Sequence, residues 1–224
     1  MLNISSVEFS YHNQHVFNNL SLNVAEGEFV FLIGKSGSGK STLLELIYMN
    51  LIPHSGYVQV GEYSSDTITS RKLPFLRRKV GVIFQDFKLL EDRNVYKNLS
   101  FVLEIIGIPK KQIKRKVYSV LSEVGLTHKQ KNMPNQLSGG EKQRIAIARA
   151  IINEPMLILA DEPTGNLDPE TSFEILDILW KISQRGTSVL FATHNYDLVR
   201  RLNATVFKIE GGKAIKVNMK KSGE

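Results

Sequence analysis

Four short runs of apolar residues punctuate the chain: "FVFLI" at Phe29–Ile33, "VGVIF" at 80–84, "MLILA" at 156–160 and "SVLFA" at 188–192. None alternates with polar residues, so each is apolar on both faces, as in parallel strands covered by helices. The first sixty residues differ. "NISSVEFSY", "VFNNLSLNV" and "SGYVQVG" alternate more and are joined by turn residues, which predicts an antiparallel β portion at the edge. From about 86 to 135 the spacing turns helical, in "NVYKNLSFVLEIIG" and "KQIKRKVYSVLSEVGL", with Gly107 and Gly125 placed as stops. The pattern predicts one α/β domain over 1–224. Its mainly parallel sheet core carries the antiparallel edge portion and a helical insertion at about 86–135.

Composition adds boundaries to that picture. Apolar residues make up 42% and charged residues 23%, ordinary for a soluble globular protein. No uncharged apolar run approaches the roughly 18 residues needed to span a bilayer. The first ten residues, "MLNISSVEFS", lack the basic start and apolar stretch of a signal peptide. The absence of cysteine excludes disulfides and thiolate metal sites. These features predict a cytoplasmic protein that serves any membrane from outside the bilayer. The net charge of +7 is concentrated in "RKLPFLRRK" (71–79), "KKQIKRK" (110–116) and the tail "NMKKSGE" (218–224). Such runs are solvated surface, or they attract anionic headgroups or an acidic partner. No nucleic-acid recognition motif accompanies them, so nucleic acid is not an expected partner.

The candidate chemistry begins at "GKSGSGKST". Residues Gly34, Lys35, Ser36, Gly37, Ser38, Gly39, Lys40, Ser41 and Thr42 contain the pattern G-x-x-x-x-G-K-[ST]. Its glycines let successive backbone N–H groups face phosphate oxygens, Lys40 places a charge on the β/γ-phosphates, and the Ser41 hydroxyl can ligate Mg²⁺. The run follows an apolar strand and opens an apolar helix, whose dipole favours an anion at its start. A nucleoside triphosphate is the expected ligand. "LILADEP" supplies a second element: Asp161 at a strand end suits Mg²⁺, and Glu162 suits a base for the attacking water. His194, ending "FATH", is expected within reach of the γ-phosphate. Gln85, after "VIF", is expected to touch Mg²⁺ or the attacking water. Tyr11 is either a stacking platform for adenine or a core aromatic.

A hundred residues after "GKSGSGKST" lies "LSGGE", 137–141. Ser138 and Glu141 have the spacing of a capping box. Gly139 and Gly140 are not explained by it, because glycine in a first turn weakens a helix. They suit a segment that something must approach closely, such as an anion at an open helix end.

Taken together, "GKSGSGKST", Gln85, "LSGGE", "LILADE", "GNLD" (165–168) and His194 resemble, in order and spacing, the ATP-binding cassette (ABC) ATPases. The resemblance covers essentially the whole chain and implies a RecA-like core, ATP as ligand and Mg²⁺ as cofactor. It also implies a head-to-tail homodimer, in which Ser138, Gly139, Gly140 and Glu141 of one chain complete the ATP site of the other. Asp168 would lie at that interface, and the isolated chain would hydrolyse ATP poorly. Two positions depart from the commoner pattern: Glu141 stands where Gln is usual, and Asn195 where Asp is usual.

A narrower resemblance rests on "GVIFQDFKLLEDRNVYKNLSF", 81–101, which is similar to the FtsE-type cell-division branch. It implies a peripheral ATPase on the cytoplasmic face of the bacterial inner membrane. Its partner would be an FtsX-like integral membrane protein that relays dimer closure to cell-wall hydrolases. A helix of that partner is expected near 87–96, with Leu90 among the contacts. The alternative is the ATPase subunit of a lipoprotein-release or macrolide-efflux transporter.

Overall fold

The computed structural model describes residues 1–12 and 14–218. The basic tail therefore lies, apart from Asn218, outside the described residues. The chain opens with β1 (Leu2–Tyr11), β2 (Gln14–Val24) and β3 (Phe29–Ile33), followed by α1 (Lys40–Ile47), β4 (Ser55–Val60) and β5 (Tyr63–Ser64). Next come α2 (Leu73–Arg78), β6 (Val80–Ile83), α3 (Val95–Ile105), α4 (Lys110–Glu123) and α5 (Gly139–Ile151). The rest is β7 (Leu157–Asp161), α6 (Pro169–Ser183), β8 (Ser188–Thr193), α7 (Tyr196–Arg201), β9 (Thr205–Glu210) and β10 (Lys213–Val217).

A six-stranded sheet, ordered β10-β9-β3-β8-β7-β6, forms the centre. Its strands β9, β3, β8, β7 and β6 pair parallel, and β10 pairs antiparallel to β9. Every residue of β3 is buried, and the alternation of side chains sends them to opposite faces. Phe29, Phe31 and Ile33 join Ile158, Phe191 and the apolar faces of α3 to α6. Val30 and Leu32 join Leu157, Leu190, α1 and the other sheet. Doubly apolar runs are therefore what a two-faced core requires.

The antiparallel portion is a sheet of its own, ordered β2-β1-β4-β5, rather than an edge added to the central one. Its inner side chains, among them Ile4, Val7, Phe17 and Val58, pack into the core beneath α1. The antiparallel edge of the central sheet is instead the β9–β10 hairpin, whose Gly212 carbonyl accepts from Asn18 N–H at 3.1 Å. Helices α3 and α4 lie between β6 and β7, and Gly107 and Gly125 follow their ends. The basic runs fold as α2 and the start of α4. Leu76, Ile113 and Val117 are buried there, while most of the cationic side chains stay exposed. Among the described residues no helix is long and apolar enough to cross a membrane.

Candidate nucleotide site

The loop between β3 and α1 turns on Gly39, the N-cap of α1, at φ 99°. A Cβ there would also come within 2.8 Å of Val16 Cγ1 and 2.9 Å of the Phe17 ring. Both the left-handed backbone and the crowding by β2 demand glycine. Beyond it Lys40, only 7% exposed, folds back to donate to the carbonyls of Gly34 (2.9 Å) and Lys35 (3.3 Å). Its ammonium also stands 3.4 Å from Glu162 Oε1. The lysine is thus pinned over the loop with its charge turned to the cavity.

Strand β7 delivers the carboxylates. Burial raises the Asp161 carboxyl above its ordinary range; a hydrogen bond from the Ser41 hydroxyl works against this, and the Glu162 charge adds to it. Asp161 Oδ1 is buried with no protein partner. A buried acceptor beside a hydroxyl is the donor set of a hard cation that keeps most of its waters. The chain therefore fits Mg²⁺ at Ser41 and Asp161. Glu162 has a left-handed backbone, φ 47°, held by its N–H on the Ala192 carbonyl at 3.0 Å. Such strain, about 1–3 kcal/mol, persists where surrounding structure over-determines it.

His194 closes the arrangement from the end of β8. Its Nδ1 lies 2.9 Å from Glu162 Oε2, which also accepts its backbone N–H at 3.3 Å. The neighbouring Asn195 caps α7, accepting from the N–H groups of Asp197 and Leu198. The departure at that position is accordingly a helix cap.

One cavity of about 730 Å³ is lined by Tyr11, Ser36, Gly37, Gly39, Lys40, Ser41, Thr42, Gln85, Glu162 and His194. Tyr11 is 42% exposed at its mouth, edge-on to Phe9, and so is not a core residue. Gln85 is on the wall, but its amide nitrogen donates to Asn166 Oδ1 at 3.3 Å, and Asn166 Nδ2 donates back to the Gln85 carbonyl. Ser138 to Glu141 and Asp168 do not line this cavity. The capping box is formed: Glu141 N–H donates to Ser138 Oγ at 3.2 Å, and Ser138 N–H to Glu141 Oε2 at 2.9 Å. The Ser138 amide, and then Lys129, hold the Glu141 carboxyl below its usual range. Asp168 caps α6, with its carboxylate bonded twice by Thr171.

Sequence reasoning missed four contributors. Gln14 and Val16 line the cavity from β2, where strand alternation gave no functional signal. Asn166 sits inside "GNLD", and that motif was the available clue. Half-buried Arg149 donates to the Phe87 and Lys88 carbonyls, whose residues have φ of 61° and 50°. Nothing in an apolar helical stripe marks such an arginine.

A family model described as "ABC transporter" matches residues 17–165. The chain belongs to the ABC ATPase family. As an ABC ATPase it binds and hydrolyses ATP. Among its relatives is the "Cell division ATP-binding protein FtsE" of Bacillus subtilis (strain 168), 45% identical over 95% of this chain and 93% of that one. The protein of the same name from Escherichia coli (strain K12) is 44% identical over 86% and 87%. Two solved ABC ATPases share the fold. CbiO1 from Clostridium perfringens, part of the cbiONQ complex, has a TM-score of 0.88 at 29% identity, covering 96% of this chain and 86% of that one. A dimer of the ATP-binding cassette MJ0796, bound to ADP and Pi, gives 0.83 at 31%, covering 98% and 100%.

Proposed function

We propose that this ABC ATPase is the ATP-hydrolysing subunit of a bacterial FtsEX-type membrane complex acting in cell division. Identity of 44–47% to proteins named FtsE, over 86–95% of the chain, is the observation that carries this reading. In it, 86–135 is a helical subdomain inserted in a RecA-like core, and the chain works peripherally at the cytoplasmic face of the inner membrane.

The geometry supports a role for each residue of the nucleotide cavity, and the family resemblance supplies those at the interface. Lys40 and the loop N–H groups hold the β/γ-phosphates, and Tyr11 at the cavity mouth offers a face to the adenine. Ser41 and Asp161 hold Mg²⁺, which when bound offsets negative charge on the phosphates. Glu162 orients and deprotonates the attacking water, and His194 keeps that carboxylate aimed. Gln85, on the wall of the same cavity, touches Mg²⁺ or the attacking water. Ser138, Gly139, Gly140 and Glu141 face a second copy, head to tail, with Asp168 at the same interface.

The partner is an FtsX-like integral membrane protein. Backbone groups at 87–90 are already engaged by Arg149 and Asn98. A neighbouring groove of about 420 Å³, lined by Phe101, Ile105, Ile106, Arg77 and Arg78, suits an amphipathic partner helix better. Ile105 is 62% exposed there. The test is to express tagged Glu162→Gln protein in its own host, extract membranes with ATP and Mg²⁺, and identify what co-purifies. An FtsX-like protein is expected. A lipoprotein-release or efflux permease would replace this reading with a transport role.

A further inference from the structure

The capping box accounts for Ser138 and Glu141 but leaves Gly139 and Gly140 without a reason to be glycine. The close approach they permit comes from the same chain. A Cβ at Gly140 would meet Thr171 Cγ2 at 2.5 Å, and one at Gly139 would meet Leu167 Cδ2 at 3.3 Å. A contact of 2.5 Å is one that carbon atoms do not make without displacement, so the Thr171 methyl occupies the space a side chain at 140 would take. The other end of Thr171 is equally committed. Its hydroxyl donates to Asp168 Oδ2 at 2.6 Å, and its N–H to Asp168 Oδ1 at 2.9 Å.

We propose that Thr171 is a positioning residue, locking the "LSGGE" segment and Asp168 into one unit before any second subunit arrives. The inference rests on the head-to-tail dimer proposed above. Both segments reach the surface, since Ser138, Gly139 and Asp168 are exposed. The unit also touches the chain's own site. Asn166, two residues before Asp168, holds Gln85. One threonine therefore joins the loop meant for the neighbour's nucleotide to the segment that contacts Gln85 on the wall of this chain's own cavity.

Three substitutions on the Glu162→Gln chain test this. Each is read by the ATP concentration that drives half-dimerisation in light scattering, by monomer affinity for a fluorescent ATP analogue, and by melting temperature. Gly140→Ala should raise the ATP requirement about tenfold or more, with monomer affinity unchanged. Adding Thr171→Ser, which removes only the methyl, should bring it back to within about twofold of the parent. Thr171→Val keeps the methyl but loses the hydroxyl on Asp168, and should raise the requirement about tenfold while leaving monomer affinity intact. A double variant as impaired as Gly140→Ala alone would overturn the assignment, and so would Thr171→Val without effect. If the parent stays monomeric with ATP, it is the dimer reading that fails. The melting temperatures then decide, and additive losses at 140 and 171 would overturn the packing unit by itself.

Discussion

His194 Nδ1 lies 2.9 Å from Glu162 Oε2, and the same carboxylate reaches Lys40 through its other oxygen at 3.4 Å. Glu162 is thus held from both sides at the point where β7 ends. A carboxylate so fixed has little left to lose when it takes up a proton acceptor's geometry. The two neighbours have separable consequences.

Replacing Glu162 by Gln keeps size and shape but removes the base. ATP binding should persist, while phosphate release falls by roughly 10²–10⁴-fold. Steady-state phosphate release beside nucleotide affinity measures both. A variant that still turns over at the parent rate would move the base elsewhere.

His194→Ala should spare folding, because the side chain is 67% exposed and surface changes usually stay within about 0.5 kcal/mol. Its effect should fall on kcat, by about a hundredfold, with KM for ATP nearly unchanged. A rise in KM at constant kcat would make His194 a binding group instead of a positioning one.

Asp161 is raised by burial and by the Glu162 charge, so its ionised form costs stability in the metal-free chain at neutral pH. Asp161→Asn should therefore raise the metal-free melting temperature and abolish the further rise that Mg²⁺ gives the parent. Thermal scans with Mg²⁺ and with a chelator distinguish the two effects. A Mg²⁺ shift that survives the substitution would place the cation elsewhere.

At Glu141 the shift runs the other way. A carboxyl held low contributes stability that is present above its ordinary range and lost as pH falls through the folded value. Glu141→Gln keeps the cap but loses the charge beside Lys129, so it should cost under about 1 kcal/mol at pH 7. The cost should vanish below the carboxylate range. Urea titrations at pH 7 and near pH 3 provide the comparison.

Much of this was legible in residues that carry their own local logic. The run at Phe29–Ile33 had to be a doubly buried strand, and Ser138 with Glu141 had to cap a helix; both do. The separate antiparallel sheet was less legible, since alternation specifies a half-buried strand but not which sheet receives it. The β9–β10 hairpin gave weaker signals, with Lys208, Lys213 and Lys216 interrupting its short strands. At the site, Lys40, Glu162 and His194 announced themselves through spacing. Asn166, Arg149 and Thr171 did not, because their partners are 81, 62 and 31 positions away or belong to a helix cap. Long-range contacts of that kind are made by the fold and leave no period in the sequence.

In the proposed dimer one chain holds a nucleotide and a second chain completes the site. Complementation measures it directly. Lys40→Ala breaks a chain's own loop, and Ser138→Arg breaks only what it offers its neighbour. Each variant alone should show almost no ATP turnover. Mixed in equal amounts with ATP and Mg²⁺, they should recover it, because a mixed dimer contains one site built from intact Lys40 and intact Ser138. Two folded, co-assembling variants that stay inactive together would contradict the account.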